Sequence, residues 1–165
     1  MKALIFDTDI LSTFGKIRRL DLLRKLLPEV PFYIPPSVYD ELLKAKDLGY
    51  DFVDNIFESK IIEVIPLNDE EMRLLKELKR ERVSLGKGEL EGLSVCKHEG
   101  YILVTNDTSA KKVCDFYGID FIDLSIILKS LITEKILTNS QVRILIEEIE
   151  SKDRVVIKDK QDILN

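Results

Sequence analysis

Apolar residues along this chain recur with two different periods. Short apolar-rich runs at residues 3–6 (ALIF), 31–35 (PFYIP), 60–65 (KIIEVI), 101–104 (YILV) and 119–122 (IDFI) have the length and composition of buried strands. Longer stretches lie between them, with apolar positions three and four residues apart. In residues 10–27 these are Leu11, Phe14, Ile17, Leu20, Leu23, Leu26 and Leu27, a helical period interrupted near Gly15 and stopped by Pro28. Further helices are expected over 36–46, 50–57, 69–82, 89–98, 108–117, 124–131 and 140–150. The punctuation agrees: Pro36 suits a first helical position, Asn68 an N-cap before three acids, and Gly100 and Gly118 helix ends.

Strands alternating with helices imply right-handed crossovers and a parallel sheet covered on both faces. The expected fold is α/β, a three-layer α/β/α sandwich with a central parallel sheet of four to five strands. At 165 residues the chain can fill one domain with a sizeable core but not two ordinary ones. Residues 1–150 are read as that domain. Residues 151–165 form a charged tail, either a frayed end or a partner-dependent strand around its apolar residues 155–157.

An apolar content of 45% with 33% charged residues excludes a disordered chain, which would bury too little to offset its entropy. No apolar run is long enough to span a membrane and no signal-peptide pattern precedes the first strand, so a cytoplasmic protein is expected. Cys96 and Cys114 lack a CxxC spacing and read as buried thiols rather than as a disulfide or a zinc site.

The net charge of −5 argues against a polyanionic partner unless the carboxylates are gathered to hold cations. Four acids are placed for that. Asp7 ends the first strand, Glu41 follows the second by about two helical turns, Glu89 follows the glycine-containing loop at 83–88, and Asp107 follows the fourth strand. In an open parallel sheet these places converge on one crevice, where clustered carboxylates need protons or hard divalent cations, Mg²⁺ or Mn²⁺. Taken singly, Glu41 and Glu89 are more often surface acids complementing a helix dipole than ligands. Asp7 does not, because a carboxylate directly after four buried apolar residues is costly without a partner.

The segments LIFDTDIL (4–11), YDELL (39–43), LGKGELEGL (85–93) and ILVTNDTSAKKVC (102–114) resemble, in order and spacing, the motifs of the PIN-domain family, metal-dependent ribonucleases that include the VapC-like toxins of toxin–antitoxin pairs. The resemblance implies an acidic quartet of Asp7, Glu41, Glu89 and Asp107, with Asp7, Glu89 and Asp107 as metal ligands. It also implies hydrolysis of single-stranded RNA assisted by Mg²⁺ or Mn²⁺, a homodimer and an antitoxin partner. Asn106 stands where related sequences often carry a second acid, and Ser109 is uncharged, which leaves open whether one or two ions are held. Glu91 is an alternative to Glu89, but the two differ by about 200° around a helix, and Glu89 sits at the loop. Asp9 is expected to act as a helix cap or outer-shell acceptor, and Thr105 as a hydroxyl donor to a carboxylate or phosphate.

Arg18, Arg19, Arg24 and Lys25, or Lys79, Arg80, Arg82 and Lys87, could meet an RNA backbone, or could simply be solvated helix faces. The helices at 10–27 and 50–57 could carry partner surfaces, although core burial explains the same apolar residues. His98 near a helix end is read as structural. Two rival readings remain. IFDTDI matches the DxD strand of a HAD-type phosphatase, with Asp7 as nucleophile, Asp9 as acid/base and Thr105 as its second motif; no GDxxxD-like motif follows. The other is a PIN-like scaffold or RNA-binding domain with a degenerate metal site. The GKGE loop lacks the spacing of a P-loop.

Overall fold

The structure, a computed structural model, describes residues 2–82 and 84–165. Val83, at the start of the glycine-containing loop, lies outside the described residues, as does Met1. The elements run β1 (Leu4–Phe6), α1 (Thr8–Lys16), α2 (Leu20–Leu26), β2 (Phe32–Ile34), α3 (Pro36–Asp47), α4 (Phe52–Ser59), β3 (Glu63–Val64), α5 (Asp69–Glu81), α6 (Lys87–Glu99), β4 (Ile102–Val104), α7 (Thr108–Tyr117), β5 (Phe121–Ile122), α8 (Leu124–Thr133), α9 (Asn139–Lys152) and α10 (Lys160–Leu164).

All five strands are parallel, in the order β3-β2-β1-β4-β5. The chain therefore builds outward from β1 on one side, then returns to place β4 against the other. The strand order reverses between β1 and β4, and such a switch point opens a crevice beyond the carboxyl ends of the two strands.

The alternation of side chains along each strand supplies both faces. Leu4 and Phe6 of β1, Phe32 and Ile34 of β2 and Val104 of β4 point into a core shared with α1–α4 and α8–α10. Ile5 and Leu103 point the other way, into a core with Leu75 and Leu78 of α5, Leu90 and Leu93 of α6 and Val113 of α7. Burial on both faces explains why these strands read as continuous apolar runs. Cys96 and Cys114 are free and buried, as expected. Among the described residues no helix is long and apolar enough to cross a membrane.

Three local expectations change. The break in the first helical stretch falls at residues 17–19, where Arg18 adopts φ +57°, and Gly15 lies inside α1. Its role is packing: a Cβ there would come within 3.0 Å of Ile56 Cγ1 and of the Phe52 carbonyl oxygen, so glycine lets α4 lie close. The helices read as candidate partner surfaces accordingly bury Phe14, Val53 and Ile56 against each other. The tail is neither frayed nor a strand. It ends in α10, with Ile157 and Ile163 buried in the first core and the Lys129 ammonium donating to the Asp162 carbonyl at 2.6 Å.

Burial of Ile163 predicts that Ile163→Ala lowers the unfolding free energy by about 2 kcal/mol, measured by urea denaturation. An unchanged midpoint would return the tail to a frayed end.

Candidate functional site

At the switch point, one hydroxyl ties the ends of β1 and β4 together. Asp7, 5% exposed, follows Phe6 and caps α1 by accepting from the Ile10 amide at 3.4 Å. Its other oxygen accepts from the Thr105 hydroxyl at 2.5 Å, and Thr105 Oγ1 in turn accepts from the Asp107 amide at 3.1 Å. Asp107 caps α7, with Oδ1 accepting from the Ala110 amide at 2.7 Å.

Two glutamates reach the same place from other elements. Glu41 of α3 accepts from the Thr8 hydroxyl at 2.5 Å. Glu89, third in α6, accepts from the Gly86 amide at 3.0 Å. Gly88 makes their approach possible: a Cβ there would lie 2.9 Å from Val38 Cγ2 and 3.3 Å from Glu41 Oε1. Asp7, Glu41, Glu89 and Asp107, together with Asp9, line one crevice of about 270 Å³. It opens beside a larger cavity that shares Asp9 and Asp107. Glu91 points elsewhere, buried, with Oε1 accepting from the Ser37 amide at the start of α3 at 3.2 Å.

The crevice is short of positive charge. Burial pushes the Asp7 carboxyl up to about 7, against the Thr105 hydrogen bond and with help from Asp9 and Glu89. Glu89 is raised by burial and then by Asp107, Asp9 and Glu41, and Asp9 by burial and then by Asp153 and Asp107. No three of these carboxylates bring oxygens mutually within 4.8 Å. Capping bonds thus hold the acids apart around a space rather than against one another. Hard oxygen donors and like charges without a counter-ion fit Mg²⁺ or Mn²⁺.

Several sequence expectations change at this level. Asp9 is not the helix cap; Asp7 is, and Asp9 sits on the rim in the first turn of α1. Asn106 turns away from the crevice, its Oδ1 accepting from the Leu124 amide at 3.3 Å. Three members of the basic cluster at 18–25 have partners of their own, while Arg18 is exposed. Arg24 donates to the carbonyls of Leu27, Val30 and Ile61 and stacks 4.0 Å from the Phe32 ring centroid, while Arg19 and Lys25 pair with Asp21. Of the second cluster, Arg80 and Lys87 are exposed and Arg82 lies over Phe116.

His98 ties two helices together. At the far end of α6 it faces Glu70 at 3.0 Å and Glu71 and Glu99 at 3.2 Å, and the Glu70 bond leads in raising its pKa. Its ring forms a His–carboxylate group with Glu71 and Glu99 and ties α6 to the start of α5. Sequence reading missed Asp153, which reaches the cavity's edge from the end of α9 and accepts from Thr13 and Lys16. No local motif marks it.

A family model described as a PIN domain matches residues 3–161. Two solved structures have similar folds at 16% sequence identity. VapBC-1 from nontypeable Haemophilus influenzae aligns with a TM-score of 0.56 over 73% of this chain and 97% of the other. VapBC2 from Rickettsia felis, bound to a DNA fragment from its promoter, aligns with a TM-score of 0.53 over 73% and 98%. No curated protein sequence matches the chain.

A carboxyl raised from 3.8 to about 7 keeps its proton in the folded protein over a range where the unfolded chain has lost it. This group therefore favours folding at low pH and opposes it as pH rises through about 7. In EDTA, Asp7→Asn is expected to raise the thermal midpoint at pH 8, with the gain fading towards pH 5. A gain independent of pH would contradict the assignment.

Proposed function

Because the chain belongs to the PIN-domain family, we propose that its acidic crevice is the site of a divalent-metal-dependent endoribonuclease acting on single-stranded RNA. The observation that carries this reading is the convergence of Asp7, Glu41, Glu89 and Asp107 on one crevice at the β1/β4 switch point. Family membership leaves the phosphatase reading without support.

Asp7, Asp107 and Glu89 are the residues that would hold Mg²⁺ or Mn²⁺. When bound, the ion supplies positive charge to a phosphate oxygen and acidity to a water, so that no histidine base is required. The chain's own groups do the rest. Thr105 fixes the Asp7 carboxylate and, through the Asp107 amide, the spacing between the two aspartates. Thr8 and Gly86 orient Glu41 and Glu89. Arg80, Arg82 and Lys87, on the α5 end of the loop and the start of α6, are the proposed contacts to the RNA backbone.

The likeness to VapBC structures supports a toxin of a toxin–antitoxin pair, acting in the cytoplasm as a homodimer held in check by a small antitoxin. The alternative is a scaffold or RNA-binding domain with a degenerate site, and Asn106 favours it, since its amide replaces a second acid and faces α8.

RNA cleavage is expected to cease in EDTA, return with Mg²⁺ or Mn²⁺, and fall to background in Asp7→Asn. Asp9→Asn is expected to cost less, and an equal loss would remove Asp7 from its central role. Thr105→Val is expected to weaken Mn²⁺ binding by about 10–100-fold in calorimetry. Wild-type protein that binds no Mn²⁺ would favour the degenerate reading.

A further inference from the structure

The larger cavity beside the crevice has a volume of about 560 Å³ and runs from the Asp9–Asp107 rim towards the segment after α9. That volume falls in the range of sites that enclose small ligands, about 300–1,000 Å³. Since the two spaces share Asp9 and Asp107, a strand with one phosphate among the carboxylates leads its neighbouring sugar and base into this cavity.

Its chemistry selects which part of a nucleotide it takes. Among the described residues Asp9, Asp107 and Asp153 line it against a single cation, Lys16, which Asp153 already pairs at 2.6 Å. A second phosphate is repelled there, whereas a neutral group rich in N–H and O–H donors is attracted, as are ribose hydroxyls and an exocyclic amine. Ile10 and Leu124 provide an apolar floor. Thr108 and Ser109 bring hydroxyls to the rim, beside the Asn106 amide. Among the described residues no aromatic side chain lines the cavity, so a base is held by apolar contact and edge hydrogen bonds rather than by stacking.

The remaining wall is a built feature of the C-terminal segment. Asp153 accepts from the Thr13 hydroxyl at 2.6 Å and from Lys16, anchoring the segment to α1. Arg154 turns the chain with φ +55°, and Ile157 is buried with its amide on Glu150 at 3.1 Å. Between these anchors Val155 is presented, 40% exposed, into the cavity. Resting on the ribonuclease reading, we propose that this cavity seats the nucleoside next to the scissile phosphate on its Asp107 side, and that Val155 and Ser109 help to set which base is accepted.

The test has two arms. Random-sequence RNA is cut by the wild type, Ser109→Ala and Val155→Ala, and the new ends are sequenced. The wild type is expected to show a base preference at one position flanking the cut, which the variants flatten; unchanged preference would overturn the proposal. In the second arm Val155→Trp fills the cavity. It is expected to weaken binding of a fluorescein-labelled five-nucleotide RNA by about tenfold or more, with Mn²⁺ affinity and thermal midpoint kept. Equal RNA affinity would overturn the proposal. Wild-type protein that binds Mn²⁺ yet cuts no RNA would instead refute the ribonuclease reading, and the binding arm would still decide the cavity's role.

Discussion

The buried hydrogen bond from Thr105 to Asp7 is the constraint on which the site depends. It joins the carboxyl ends of two adjacent strands that lie 98 residues apart in sequence. Because Thr105 also receives the Asp107 amide, a single side chain fixes the orientation of one aspartate and the position of the other. An apolar residue at 105 would leave Asp7 buried with one oxygen unpaired, at a cost of about 1–3 kcal/mol or more for a charged group. The sheet order, which sets β4 beside β1 after two outward steps, is what brings this pair together.

Around that pair the protein accepts an electrostatic cost. Each of the four acids gives one oxygen to a nearby donor: an amide at the start of α1, α6 or α7, or the Thr8 hydroxyl. Those bonds fix the carboxylates without neutralising them. Burial first, and then repulsion from neighbouring acids, raises the proton affinities of Asp7, Asp9 and Glu89. The opposite end of α6 has a different arrangement, since His98 lies within hydrogen-bond distance of Glu70, Glu71 and Glu99. The two acidic groups at the ends of one helix thus differ in kind: one is gathered around an imidazole and the other around an open space.

Much of this was legible in the sequence because strand burial and helix punctuation are local. ALIF and YILV read as strands, Asn68 as a cap, and Gly100 and Gly118 as helix stops, and each stands as expected. Asp7 and Asp107 could be placed after strands and Glu41 and Glu89 in the opening turns of helices, and the parallel topology brought these places to one crevice. What failed depended on tertiary neighbours. Gly15 reads as a break until Ile56 is seen against it. Arg24 reads as a surface cation until the carbonyls around it are known. Asp7 and Asp9 have the same side chain, so composition could not say which one caps α1. The tail gave no period long enough to announce α10, and Asp153 meets Thr13 across 140 residues.

The central claim, that this open carboxylate crevice holds a hard divalent cation, is tested most directly by anomalous diffraction from crystals of the protein soaked in Mn²⁺. The account predicts an anomalous peak in contact with the Asp7 and Asp107 carboxylates. A peak confined to Glu71, His98 and Glu99, or no peak in the crevice at saturating Mn²⁺, would contradict it.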